Sequence, residues 1–157
     1  FEYVVAFGGE LIDLTRQSGI VLTGASRAGE GVPASEDGLL DGAEIRALDL
    51  SGAELISLSA CETGLGLAFA GDGVHALMRA LIEAGAKRTI TSLWQVPSQP
   101  TSALFIGFYD KLLHPKKAMV AADALRLAKL REIEKARAAG INNNAFLWAG
   151  FVLYSAP

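Results

Sequence analysis

Three scarcities shape what this 157-residue chain can be. It has one cysteine, Cys61, so no disulfide can close within it, and a reducing, cytoplasmic setting is expected. It has two histidines, His75 and His114, far apart in sequence and without zinc-ligand spacing to Cys61, so no metal site is expected. No apolar run approaches the roughly 18 residues of a membrane span, and no charged-then-apolar signal sequence is present. Charge is also sparse. Charged residues make up 20% of the chain, the net charge is -3 and the pI is near 5.4. That balance argues against a nucleic-acid or anionic-membrane surface. The 51% of hydrophobic residues excludes disorder and suffices for a substantial core.

What is present is a sequence of short aliphatic runs separated by helical patterns. Strands are predicted at 3–7 (YVVAF), 19–24 (GIVLTG), 55–60 (LISLSA), 88–94 (RTITSLW) and 149–154 (AGFVLY). The runs LISLSA and RTITSLW show little polar alternation, as expected of strands covered on both faces. Between them Val74, Leu77, Met78, Leu81 and Ile82 recur at helical spacing, and Gly85 supplies a stop. A strand, a helix and a strand within this span predict a parallel crossover. A second helix follows Pro100, with Leu104, Phe105, Phe108, Tyr109 and Leu112 as its stripe. A third covers roughly 118–139, its basic residues a solvated face. Asp41 followed by Glu44 marks the N-terminus of a short helix over 41–48, and residues 26–40 read as loop. No repeat or linker divides the chain, so the expectation is one α/β domain over 1–157 with a doubly wound sheet.

In such sheets ligands gather outside the carboxyl ends of the strands. Cys61 lies one residue past LISLSA and before ETGLG, a segment able to bend backbone amides around a ligand. Two readings stand side by side there: a small buried hydrophobe, or a displayed nucleophile. A phosphate loop is excluded. Gly66 and Gly71 have the spacing, but Asp72 and Gly73 replace the required Lys and Ser/Thr, and an acid repels phosphate.

The segments LISLSACETGLG, GDGVHALMRALIEAGAK, TITSLWQVP, FYDKLL and FLWAGFVLY, in this order, resemble the CHAT domain. This is a caspase-like cysteine peptidase family commonly joined to tetratricopeptide repeats. GIVLTGAS, GVPASEDGLL and AEIRALDLSGAEL resemble the region before the nucleophile. The resemblance implies a caspase-like fold, a mostly parallel sheet flanked by helices on both faces, and peptide hydrolysis by a Cys–His dyad. Cys61 takes the nucleophile position, and Ser92 and Trp94 lie on the segment beside the substrate. It implies no cofactor. The implied partners are a protein substrate and regulatory repeat segments or a partner protein, with no direct nucleic acid and no membrane.

Two departures accompany the resemblance. Pro97-Ser98-Gln99-Pro100 stands where the family carries acids, which puts a preference for basic residues in doubt. The family histidine precedes the cysteine in an ATHG-like turn at a strand end, and no histidine precedes Cys61 here. Either the histidine lies upstream of Phe1, the domain being N-terminally incomplete, or AFGG (6–9) is the equivalent turn with Gly8 in its place. The first expectation gives a cysteine endopeptidase inactive as this stretch alone. The second gives an inactive CHAT-like interaction module.

Overall fold

In the computed structural model the described residues are 4–7, 10–13, 19–23, 25, 37–59, 72–140 and 145–156. Strand β1 (Val4–Phe7) and β2 (Glu10–Asp13) pair antiparallel, with Phe7 opposite Glu10. That register leaves two residues for the connection, a length at which Gly-Gly is among the favoured pairs. β3 (Gly19–Val21) and β4 (Leu39–Asp41) are also antiparallel. They approach so closely that a Cβ on Gly19 would lie 2.7 Å from the Leu40 carbonyl oxygen.

Helix α1 (Gly42–Arg46) begins where the sequence places it. The Asp41 carboxylate accepts from the amides of Ala43 and Glu44, each at 2.8 Å, and the Glu44 carboxylate accepts from the Asp41 amide at 3.0 Å. This reciprocal box satisfies donors that the first turn leaves without intrahelical partners. α1 packs against α2 (Asp72–Glu83). Ile45 on α1 is buried, as are Leu77, Met78 and Leu81 of the face the spacing predicts on α2, with Ala80 beside them, while Ile82 is half-buried. Beyond α2, Gly85 has φ +108°, and a Cβ there would meet the Ser51 amide nitrogen at 2.8 Å. Only glycine fits this turn without strain. Glu83 takes Arg79 at 2.7 Å and Arg46 at 3.1 Å, the second a charge contact without hydrogen-bond geometry.

Three further strands, β5 (Ile56–Leu58), β6 (Arg88–Ser92) and β7 (Phe151–Ser155), form a sheet in the order β5-β6-β7. The chain divides into two compact units. One comprises Phe1–Ser57, Glu62–Thr89 and Tyr154–Pro157; the other comprises Leu58–Cys61 and Ile90–Leu153. In the first, the Lys87 amide donates to the Ala53 carbonyl at 3.0 Å, just ahead of β5 and β6. The Lys87 ammonium also pairs with Glu54, and Arg88 lies 3.7 Å from the same carboxylate. The Lys87 bond, then the charges, hold the Glu54 carboxyl below its ordinary range.

In the second unit α3 (Ser98–Leu112) packs against α4 (Ala121–Ala138). Ala121, Ala124, Leu125 and Ala128 form the buried face of α4, and a Cβ on Gly107 would sit 3.8 Å from Ala128 Cβ. Small residues on both sides allow the helices to come close. The Met119 amide reaches back to the Lys111 carbonyl at 3.2 Å, so the two helices run antiparallel. Phe105 packs edge-on to Phe151 at 5.0 Å and to Phe108 at 6.2 Å, fastening α3 to β7. Lys129 on α4 donates to the Phe151 carbonyl at 2.6 Å, and its partial burial lowers the ammonium pKa.

The architecture is mixed α/β, as predicted. The mostly parallel sheet is not what the described strands display. β1–β2 and β3–β4 are antiparallel pairs, and β7 runs antiparallel to β6: the Leu93 amide donates to the Gly150 carbonyl at one end, and the Ala156 amide to the Lys87 carbonyl at the other. The reasons are topological. A two-residue connection cannot return a chain in parallel, which takes a dozen residues or more. After β6, two antiparallel helices bring the chain back to the end it left, so β7 starts where β6 stops.

Candidate functional site

The residues singled out in the sequence fall on two segments, the one after β5 and the one after β6. β5 is observed over Ile56–Leu58 and points the chain into SACETG. Cys61 and the ETGLG segment lie outside the described residues, as do Gly8 and Gly9. His75 is within α2, a helix that follows the nucleophile segment. His114 is exposed in the turn after α3, where its Nδ1 accepts from the Lys116 amide at 3.3 Å. Among the described residues no group of His, Cys, Asp and Glu is arranged to hold a metal ion. Among them, too, no helix is long and apolar enough to cross a membrane.

β6 positions the other two candidates. Its residues from Thr89 to Ser92 are buried, so Ser92 is enclosed in the strand. Trp94, two residues on, is half-buried and held on several sides. Its indole N–H donates to the Phe146 carbonyl at 2.9 Å, and its ring stacks on Phe146 with centroids 5.6 Å apart and planes 20° from parallel. Phe146 belongs to a short 3-10 helix, Ala145–Leu147. Behind the indole the chain passes at Gly150, where a Cβ would meet Trp94 Cε2 and Val96 Cγ2 at 3.0 Å each. The missing side chain at 150 is what lets Trp94 seat. Leu93 is tied through its amide to the Gly150 carbonyl at 2.8 Å while its side chain is 39% exposed.

After Trp94 the chain enters α3. The Pro97 carbonyl accepts from the Thr101 amide at 3.2 Å and from the Thr101 hydroxyl at 2.9 Å, which secures the first turn. Ser98 and Gln99, at the positions where the resemblance leads one to expect acids, are exposed residues of that turn. Residues near Trp94 that sequence reasoning missed are Phe146, Gly150 and Leu93. The contact of Trp94 with Phe146 spans 52 residues, and no local pattern announces such a pairing.

Comparison with known proteins bears on the same segments. The CHAT domain model matches residues 8–156. Tetratricopeptide repeat protein 28 of Homo sapiens is 36% identical over 83 residues, 52% of this chain and 3% of that protein. Its Mus musculus counterpart is 33% identical over 116 residues, 73% of this chain and 4% of that protein. The chain therefore spans only a few per cent of the length of these curated relatives. The ordered motifs from GIVLTG to FVLY and the family match over nearly every residue agree, and this chain belongs to the CHAT domain family.

Proposed function

We propose that this chain is a protein-binding module built on a cysteine-peptidase framework, with Cys61 at the nucleophile position and no histidine of its own to complete the dyad. The observation that carries this reading is that β1 ends at Phe7, directly before Gly8-Gly9, in a stretch where no histidine precedes Cys61. The family's histidine occupies an ATHG-like turn at a strand end. AFGG stands at such a strand end here, with Gly8 where the imidazole belongs. Of the two origins considered for the histidine, this reading takes replacement at Gly8, because AFGG directly follows the end of β1. Chemistry supports the consequence. A cysteine at its reference pKa near 8.5 is only a few per cent thiolate at neutral pH. Without a proton donor for the leaving amine, a further factor on the order of 10²–10⁴ in rate is lost. The module would hold a polypeptide along the segment after β6, which contains Trp94, without cutting it.

A second reading keeps the endopeptidase, with the histidine supplied by polypeptide outside these residues. The intact SACETG motif beyond β5 favours it, as does the Lys87–Ala53 tie, which starts β5 and β6 from the same end, the relation a caspase-like crossover requires. Cys61 would then attack the scissile carbonyl, form an acyl-enzyme and release it to water, with backbone amides holding the oxyanion.

One experiment separates the readings. Turnover of a peptide library is measured for this chain, its Gly8→His and Cys61→Ala variants, and a longer polypeptide that includes it. The module reading expects no turnover in any unmodified form, and a lower pH midpoint of Cys61 alkylation in Gly8→His. Turnover by the longer polypeptide that disappears in Cys61→Ala overturns it in favour of the endopeptidase.

A further inference from the structure

Helix α3 is apolar on two faces. One packs on α4 and β7 through Leu104, Phe105 and Phe108. The other meets solvent. Ile106 is 70% exposed, and Leu113, about two turns further on, is also 70% exposed. The Leu113 amide still donates to the Tyr109 carbonyl at 2.9 Å, so Leu113 continues the helical spiral and shares the face of Ile106. Val120, which opens α4, is 65% exposed. These are the three most exposed large apolar side chains among the described residues. A single exposed leucine needs no explanation, but three along one helix face and its adjoining turn do.

The turn is also basic and well tied. Lys111, Lys116 and Lys117 lie on either side of Leu113 in sequence, against one acid, Asp110, in a chain whose net charge is -3. The Lys116 amide donates to His114 Nδ1 at 3.3 Å and the Lys117 amide to the His114 carbonyl at 3.2 Å. The Met119 amide closes the turn onto the Lys111 carbonyl at 3.2 Å. A surface fixed in this way does not have to be ordered when a partner arrives.

We propose that Ile106, Leu113 and Val120, with the lysines of the same turn, form a docking surface for an acidic amphipathic helix of a partner protein. It stands apart from the segment after β6, because the 15 residues of α3 carry the chain about 22 Å away from Trp94. Two anchors seven residues apart on α3 are spaced to meet apolar residues at i and i+7 of a second helix. Covering Leu113 and Val120 takes water from the neighbouring ammonium groups. Carboxylates on the partner replace that hydration, whereas an uncharged or basic partner leaves the charges unpaired. An anionic membrane fits less well. Adhesion to such surfaces draws on clusters of about four to eight basic residues, and exposed Asp110 shares the stripe between Ile106 and Leu113. A protein can meet that carboxylate with one basic residue; an anionic lipid surface repels it.

The test titrates the isotope-labelled chain with acetyl-Glu-Ala-Leu-Glu-Ala-Glu-Leu-Ala-Glu-Leu-Glu-Ala-amide. Two controls carry Lys at every Glu position or Ser at every Leu position. The expected result is saturable shifts at the Ile106, Leu113 and Lys117 amides, with the Trp94 indole N–H unmoved. Both controls should bind at least about tenfold more weakly. Leu113→Ser should weaken the acidic peptide by a similar factor with little change in Tm, since the side chain is mostly exposed. Lys116→Glu combined with Lys117→Glu should weaken the acidic peptide and strengthen its Lys analogue. Cys61→Ala should change none of this, so the surface stands or falls separately from the reading of Cys61. Equal binding of the three peptides, shifts centred on Trp94, or absence of a saturable shift overturns the proposal. Sedimentation with vesicles of three parts phosphatidylcholine to one part phosphatidylserine, lost in Leu113→Ser, overturns it in favour of a membrane. A concentration-dependent dimer lost in the same variant overturns it in favour of a second copy.

Discussion

Gly150→Ala is the sharpest test of how Trp94 is held. The added methyl would lie 3.0 Å from Trp94 Cε2, 3.0 Å from Val96 Cγ2 and 3.1 Å from Trp94 Nε1. Favourable carbon separations are about 3.5–4.0 Å, so something must move by roughly half an ångström or more. Val96 is buried, and the indole is bonded and stacked on Phe146, so neither can step aside without loosening a neighbour. Over-packing of this kind costs typically about 1–3 kcal/mol. In a chain of this size each kcal/mol lowers Tm by roughly 2–4 °C, so a drop of about 2–12 °C is expected by circular dichroism. The Trp94 indole resonance should shift in the same variant. A double-mutant cycle locates the clash. Phe at 94 withdraws the indole nitrogen and the fused ring, so Gly150→Ala should cost at least about 0.5 kcal/mol less in a Trp94→Phe background, the scale of coupling between touching residues. An unchanged Tm, or a cost that does not depend on residue 94, would refute the reasoning.

Two further outcomes concern the framework. Asp41→Ala removes an acceptor shared by two amides and should lower stability by about 1 kcal/mol, read as a shift in urea midpoint without a change in slope. Lys129→Met tests a group whose folded pKa is lowered by burial, so that between that value and 10.5 the unfolded chain holds more protons than the folded one. Wild-type stability should then rise relative to Lys129→Met as pH climbs through this alkaline window, and parallel pH profiles would show that the burial has no energetic weight.

Much of the fold was legible because its signals are local. Asp41 and Glu44 form the capping box their spacing suggests, Gly85 takes the positive φ its place after a helix suggests, and β6 is the buried strand its apolar run suggests. β2 and β4 were not read, for different reasons. ELID carries no β-branched run beyond one isoleucine and owes its strand to pairing with β1. Leu39–Asp41 borders a Gly- and Ser-rich stretch and is a strand because β3 supplies its partner. Strand direction was misjudged at β7 because it depends on how α3 and α4 pack, which periodicity does not encode. In the site, Ser92 and Trp94 came from the family motif alone. Phe146 and Gly150 become visible only through contacts that cross about a third of the sequence.

The Gly8→His experiment carries a stability condition that follows from the pairing of β1 with β2. A two-residue loop between paired strands favours the primed turns, whose central residues take positive φ. Glycine does so at no steric cost, whereas a residue with a Cβ meets a penalty of roughly 1–2 kcal/mol in left-handed backbone. A histidine placed at position 8, between the two paired strands, is therefore expected to cost stability. Left-handed backbone would set that cost at about 1–2 kcal/mol, so thiol reactivity must be compared at equal folded fraction. Local unfolding raises alkylation at every pH, whereas an imidazolium beside the thiolate moves the pH midpoint downward. Only the second supports Gly8 as the place the histidine has left.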